Sequence, residues 1–140
     1  MIKYIHIALI SLCCLFVAEQ SHAQADSIVN NCKKYMKLPF ISDGQQYQSI
    51  LNGDESAEFH AVFYGGSTYR IIGCGGLTDK SLTFTISDVE HNVLYSNKDF
   101  ANAPYWDFKF MNTMDCVIEA KLNEKSKTSG FAIIMIGFRQ

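Results

Sequence analysis

Residues 81–88 read SLTFTISD. Leu82, Phe84 and Ile86 alternate with Ser81, Thr83, Thr85 and Ser87. In an extended chain successive side chains point to opposite faces, so the apolar set faces a core and the hydroxyls face out. A helix would scatter both sets around its circumference. The stretch therefore reads as a strand with one buried face and one solvated face, the signature of an antiparallel sheet.

The same period of two extends on both sides. In AEFHAVFYGGSTYRIIG (57–73), Phe59, Ala61 and Phe63 share a face. Gly65, Gly66 and Ser67 make a turn, and Tyr69, Ile71 and Gly73 begin a new alternation. Downstream, DVEHN (88–92) is a turn and VLYSN (93–97) a short strand. YWDFKF (105–110) sets Trp106, Phe108 and Phe110 against Tyr105, Asp107 and Lys109. CVIEAKL (116–122) sets Cys116, Ile118, Ala120 and Leu122 against Val117, Glu119 and Lys121. NEKSKTSG (123–130) is a polar hairpin loop. FAIIMIGF (131–138) is apolar on both faces, as a central strand is. Seven or eight short strands with regular turn signals predict an all-β fold, an antiparallel β-sandwich.

A short helix precedes the strands. In DSIVNNCKKYMK (26–37), Ile28, Val29, Cys32, Tyr35 and Met36 recur at helical spacing. Asp26 or Ser27 can cap it, Lys33, Lys34 and Lys37 suit its C-terminal end, and Pro39 follows. SDGQQ (42–46) predicts a loop, and Tyr47, Ile50 and Leu51 a strand or docked extended segment.

The first residues, MIKYIHIALISLCCLFVAEQSHAQA, read as an export signal: Lys3, an apolar run from Ile5 to Ala18, then small residues at a cleavage site. The favoured cut follows Ala23, with Ala25 the alternative. The apolar run is short for a membrane span and no basic stop-transfer residues follow it. Cys13 and Cys14 lie inside the run, without the small residues a lipoprotein site wants. The expected organisation is a signal peptide over 1–23, a helix and lead-in over 24–56, and a sandwich over 57–140 forming one globular unit with 24–56. The mature chain, about 117 residues from Gln24, has room for one domain and no membrane span. A net charge of -2 with mixed signs argues against a nucleic-acid partner.

Cys32, Cys74 and Cys116 remain after cleavage, in a compartment where disulfides persist. Their spacing does not suggest zinc ligation. The expected pair is Cys74–Cys116, leaving Cys32 free or packed; three buried thiols are the alternative.

NGDESAEFHAVFYGGSTYRIIGCGG (52–76) and SLTFTISDVEHNVLYSN (81–97) resemble bacterial pre-peptidase C-terminal domains. The matching residues are Glu58-Phe59, Gly66, Thr68-Tyr69-Arg70-Ile71 and Leu82 to Asp88, with SGFAIIMIGF (129–138) similar to the closing strand. The likeness covers roughly the middle half of the mature chain. Those domains are jelly-roll-like sandwiches appended to many secreted proteases, so the resemblance implies such a sandwich. With the signal peptide expected at residues 1–23, no peptidase domain is expected before it, and the resemblance implies a fold and a compartment rather than a reaction. The helix and LPFISDGQQYQ (38–48) are also similar to small exported Bacteroidetes-type proteins to which no activity attaches.

Few residues carry chemistry. His60 lies on an outer strand face and His91 in a turn, and no GxSxG, HExxH or paired-carboxylate arrangement is present. A Cys-His nucleophile built on Cys32 or Cys74 is the one enzymatic arrangement available. Asp88, Glu90, Asn92, Ser96 and Asp99 are spaced like an EF-hand loop, but Val93 replaces its glycine and strands flank it. Asp88, Glu90 and Asn92 are the weak cation candidates, against a plain turn. The glycines read as turns and bulges, since no helix follows to make a phosphate cradle. Aromatic faces stack on sugars and on peptide side chains, which makes Tyr64, Tyr95 and Tyr105, with Asp107, the ligand-binding candidates. Trp106 shares its parity with Phe108 and Phe110 and is expected in the core. The expectation is an exported, non-enzymatic β-sandwich without a cofactor, binding a protein or glycan at the envelope or outside the cell. A structural or assembly subunit is the alternative, and a small hydrolase comes third.

Overall fold

The computed structural model describes residues 19–76, 78–123 and 129–139. Residues 1–18 of the expected signal peptide, and 124–128 of the expected polar loop, lie outside the described residues. The elements in chain order are α1 (Glu19–Lys33), β1 (Phe40–Asn52), β2 (Ser56–Phe63), β3 (Thr68–Cys74), β4 (Leu82–Asp88), β5 (Val93–Ser96), a 3-10 turn (Asn97–Phe100), β6 (Tyr105–Lys109), β7 (Met114–Leu122) and β8 (Ser129–Arg139).

The strands form two four-stranded antiparallel sheets, ordered β1-β8-β3-β6 and β2-β7-β4-β5. This is the strand order of a jelly roll, the sandwich that the resemblance implies. β1 and β6 are the edges of the first sheet, β2 and β5 those of the second. Between the sheets lies the main core, where Leu82, Phe84 and Ile86 of β4 meet Ile71, Ile134 and Ile136 of the facing sheet. The two layers approach closely: a Cβ on Gly73 would sit 2.6 Å from the Phe84 ring. The hydroxyls of β4 face outward as expected, with Thr85 Oγ1 3.2 Å from Ser96 Oγ of the neighbouring strand. Ser81 departs from the expected alternation. It lies before the strand begins, is buried, and accepts a hydrogen bond from the Gly75 N–H at 3.1 Å.

β8 is apolar on both faces because both are covered. Ala132, Ile134 and Ile136 face the other sheet; Ile133 and Met135 face α1 together with Ile72 and Cys74 of β3. Ile28, Val29 and Cys32 are the buried stripe of the helix. α1 begins earlier than the sequence predicts and ends earlier too. Ser27 sits inside it, its Oγ donating to Ala23 O at 2.9 Å, rather than capping it. The chain leaves the helix after Lys33, so Tyr35 and Met36 pack on the second cluster from a turn rather than from a helical face. Pro39 disfavours helical geometry in Leu38, which bars the helix from running on but does not set its stop at Lys33.

The expected loop at SDGQQ is a bulge within β1. Pairing with β8 shifts register between Ser42 and Gln46. Gly44, at φ +85°, makes the bulge, while Ser42 Oγ accepts from the Gly44 N–H and Asp43 Oδ1 from the Gln45 N–H. Local side-chain acceptors and a glycine let an edge strand continue across what reads as a breaker.

The disulfide joins Cys32 to Cys74, not Cys74 to Cys116. Strand parity is the reason. Tyr69, Ile71 and Gly73 point between the sheets, so Cys74 points the other way, toward α1, where Cys32 lies on the buried stripe. Cys116 points inward from β7 and is a free, buried thiol. The bridge closes a loop of 42 residues and pins α1 to β3.

Candidate functional site

β6 is the last strand of its sheet, and its two faces differ. On the inner face, Phe110 is buried just beyond the strand, Phe108 is half-buried, and Trp106 is 36% exposed. Trp106 has the parity of a core residue but sits at the rim, because among the described residues no strand lies beyond β6 to cover it. This corrects its expected place in the core. Its ring stands 4.4 Å from Phe100 and 5.3 Å from Tyr95, centroid to centroid. Phe100 is 47% exposed. From this rim the ring contacts run inward: Tyr95 to Phe108 at 5.0 Å, edge to face, and Tyr95 to Phe84 at 5.8 Å. The exposed rings thus rest on a rigid aromatic base.

The outer face of β6 carries a different assembly. Asp107 accepts from Arg70 Nε at 2.7 Å and Nη2 at 2.8 Å, a two-pronged ion pair. Arg70 Nη1 donates to Tyr35 O at 2.9 Å. The guanidinium lies between two rings, 4.3 Å from Phe40 and 4.4 Å from Tyr105. Tyr105 packs on Tyr35 at 5.4 Å. The Asp107 carboxylate holds Arg70 even more firmly protonated than usual, against a small opposing effect of burial. This cluster ties the chain after α1, the start of β1, β3 and β6 into one corner.

The connector before β6 is set by Asn97, which is fully buried. Its Oδ1 accepts from the Phe84 N–H at 2.9 Å; its Nδ2 donates to Leu82 O at 3.0 Å and Ala103 O at 3.1 Å. Ala101 and Asn102 then take left-handed backbone angles, φ +54° and +53°. The chain turns sharply and delivers Phe100 and Trp106 side by side. Nothing in the residue pattern singled out Asn97. A lone asparagine after a strand reads as a turn residue, and its role depends on meeting two backbone groups of β4 and one of the connector before β6. Beside it, a concavity of about 480 Å³ is lined by Ala103, Pro104, Tyr105, Trp106 and Asp107. A second, of about 270 Å³, lies between the sheets, where Leu94, Phe108 and Met111 are among its walls.

Of the residues singled out from sequence, Tyr105 and Asp107 lie together and line the larger concavity. Both are engaged by Arg70. Tyr95 is not a surface residue: it is 7% exposed, wedged among Phe84, Phe100, Trp106 and Phe108. Its hydroxyl is buried with no hydrogen-bond partner, and burial pushes its pKa up to about 12. Tyr64 is 64% exposed at the β2–β3 turn, and its N–H donates to the Tyr69 hydroxyl at 3.1 Å. It makes no ring contact with Tyr95 or Tyr105 among the described residues. Asp88, Glu90 and Asn92 form a self-contained turn. Asp88 Oδ1 accepts from the N–H groups of Glu90 and Asn92, both at 2.9 Å, and Oδ2 from Asn92 Nδ2 at 2.8 Å. These bonds favour the charged carboxylate and lower its pKa. Among the described residues no group of three or more His, Cys, Asp or Glu is placed to hold a metal ion. Burial pushes the Cys116 thiol up to about 11, so it is a poor nucleophile at neutral pH.

The chain matches no protein-family model, and no curated protein is similar to it in sequence. Among solved structures it is similar to PliG of Aeromonas hydrophila, a periplasmic lysozyme inhibitor of g-type lysozyme. The TM-score is 0.51 at 11% identity, over 71% of this chain and 91% of that one. The likeness is one of fold. A de novo designed double-stranded β-helix matches at a TM-score of 0.33 and 12% identity, over 66% of this chain and 97% of that one, too low to bear on the fold.

Proposed function

We propose that this chain is an exported, non-enzymatic β-sandwich that binds a protein, with the partner seated on the rim formed by Trp106 and Phe100. The observation that carries this reading is the exposure of two large aromatic rings, side by side, on a rigid base at an open corner of the sandwich. Large aromatic anchors on a fixed support are the residues that dominate protein–protein binding energy. A glycan is less well served. The Tyr105 ring and the Asp107 carboxylate, which a sugar platform would use, are already occupied by Arg70. The fold shared with a periplasmic inhibitor of g-type lysozyme supports the same reading, since that protein's partner is a protein. The resemblance to pre-peptidase C-terminal domains adds the expectation of a secreted β-sandwich, and the leader reading adds the expectation of export.

The test uses the chain from Gln24 onward. A photo-crosslinking residue at position 106, expressed with the native leader, is expected to give a discrete protein adduct in the exported fraction. Purified g-type lysozyme is the first defined partner, read by binding and by its residual activity. The Phe100→Ser/Trp106→Ser variant, checked for an intact fold by circular dichroism, should lose affinity by about 30-fold per ring, on the order of 1,000-fold together, if each ring is an anchor worth ~2 kcal/mol. No adduct from position 106 and no lysozyme binding, or binding equal in the variant, would sink the proposal.

A further inference from the structure

Among the described residues the concavity beside Trp106 is lined by Ala103 and Pro104 of the connector and by Tyr105, Trp106 and Asp107, which come from both faces of β6. A hollow lined in this way lies along the strand's edge rather than over either face. The backbone groups at that edge follow from the hydrogen bonds on the other side. Pro104 O accepts from the Gly73 N–H at 2.9 Å; Phe110 donates to Ser67 O at 3.1 Å and accepts from the Gly66 N–H at 2.7 Å. Between them β6 pairs with β3 without a register shift, Tyr105 with Ile72 through Lys109 with Thr68. In an antiparallel strand the backbone groups of successive residues alternate sides. The even-numbered residues are therefore spent on β3. Tyr105, Asp107 and Lys109 aim their N–H and C=O groups at the other edge, which is free among the described residues.

Natural sheets guard such edges with charge, proline or shortness. Here the guard is incomplete. Both Asp107 oxygens are held by Arg70, so that carboxylate adds little net charge. Lys109 is exposed and makes no ion pair among the described residues. On the inner side the edge is flanked by Trp106 and half-buried Phe108. The complement of this surface is an extended backbone with apolar side chains on one face and a negative charge opposite Lys109.

We propose that β6 is a docking strand: an extended segment of a partner protein pairs antiparallel with its free edge, with an acidic residue opposite Lys109 and apolar residues opposite Phe108 and Trp106. This rests on the protein-binding reading above and names its mode. A second copy of the chain fits less well. Full antiparallel pairing of two β6 strands with matching faces centres on Asp107, already paired with Arg70 in each copy, and sets each Lys109 opposite a Tyr105, so neither lysine gains an acidic partner. Sliding the strands by two residues to avoid this leaves only a short overlap of the five-residue strand.

The probe is the peptide acetyl-EVTFT-amide, whose residues in order face Lys109, Phe108, Asp107, Trp106 and Tyr105. Titrated into nitrogen-15-labelled chain from Gln24 on, it is expected to shift the amides of Tyr105, Asp107 and Lys109 more than those of Trp106 and Phe108. N-methylating the threonine opposite Asp107 removes an inward N–H and should weaken binding about tenfold or more. N-methylating the phenylalanine, whose N–H aims away, should leave it unchanged. Lys109→Glu should weaken binding of the same peptide. Equal effects of the two methylations, no shift at millimolar peptide, or concentration-dependent dimerisation that moves these amides without peptide would each overturn edge pairing. If lysozyme binding or the adduct at position 106 persists while the peptide result is flat, only the pairing mode falls. If all are absent, the protein-binding reading falls with it.

Discussion

Replacing Tyr95 by phenylalanine removes one oxygen atom from the middle of the aromatic cluster. The ring is kept: it is 7% exposed and contacts Phe84, Phe100, Trp106 and Phe108 at centroid distances of 5.0 to 5.8 Å. The hydroxyl has no hydrogen-bond partner. Burying such a group costs about 1–3 kcal/mol. Against that, the variant leaves a gap on the order of 10 Å³, which at ~24 cal/mol per Å³ costs about 0.2 kcal/mol. The expected net effect is a stabilisation of about 1 kcal/mol, or roughly 4 °C in the melting temperature of a domain this size. The matched control is Tyr69→Phe. Tyr69 is equally buried, but its hydroxyl accepts the Tyr64 N–H at 3.1 Å. Its loss should destabilise by about 1 kcal/mol. The same chemical change thus has opposite signs at two sites of one core. Urea unfolding of the chain from Gln24, with midpoints compared at constant slope, reads both. A second signature lies at high pH. Burial raises the Tyr95 pKa from 10.0 to about 12, so the folded state holds its proton more tightly than the unfolded one. Nothing is lost below pH 10; between pH 10 and 12 the wild type loses stability that the phenylalanine variant keeps. A Tyr95→Phe variant destabilised by 1 kcal/mol or more would refute the reasoning, because its hydroxyl would then have a partner.

Three further outcomes follow from the geometry. Removing the disulfide by Cys32→Ala/Cys74→Ala should cost about 4 kcal/mol, the loop-closure value for a 42-residue separation; a melting point within a few degrees of wild type counts against that magnitude. In the chain from Gln24, native protein should show no reactive thiol at neutral pH, and denatured, unreduced protein one, from Cys116; thiol titration with and without denaturant decides it. The Asp88 turn should hold at neutral pH and loosen in acid, because its folded-state pKa lies below the ordinary 3.8. The contribution is present above the unfolded value and is lost as pH falls through the lowered one. Asp88→Ala should remove that dependence from the Glu90 and Asn92 amide signals.

What the sequence made legible was direction. Alternation in SLTFTISD and in the stretches flanking it told which side chains share a face, and the sheets obey it from Phe59 to Ile136. The same rule already held the correct disulfide. If Ile71 and Gly73 face the core, Cys74 faces away and cannot meet an inward Cys116, while the apolar stripe of the helix offers Cys32. Pairing the two strand cysteines ignored a constraint that their own parities imposed. The bulge in β1 was less accessible, since Gly44 and its polar neighbours look the same in a loop and in a bulged edge.

Trp106 marks a different limit. Parity assigns a residue to a face but does not say how far its strand lies from the middle of the sheet, and that distance decides burial. Phe108 and Phe110 grow more buried than Trp106 along one strand because their neighbours change, not because their orientation does. Strand order in a jelly roll is set by pairings between residues far apart in the chain, such as Thr68 with Lys109 and Tyr69 with Phe138. No local pattern records them. The same order that strips Trp106 of a covering strand leaves the edge of Tyr105, Asp107 and Lys109 unpaired beside it. A misplaced core tryptophan and an open strand edge are therefore one consequence of β6 being last in its sheet. Adding a strand there would bury the ring and satisfy the edge together, which is why both are read by the same peptide.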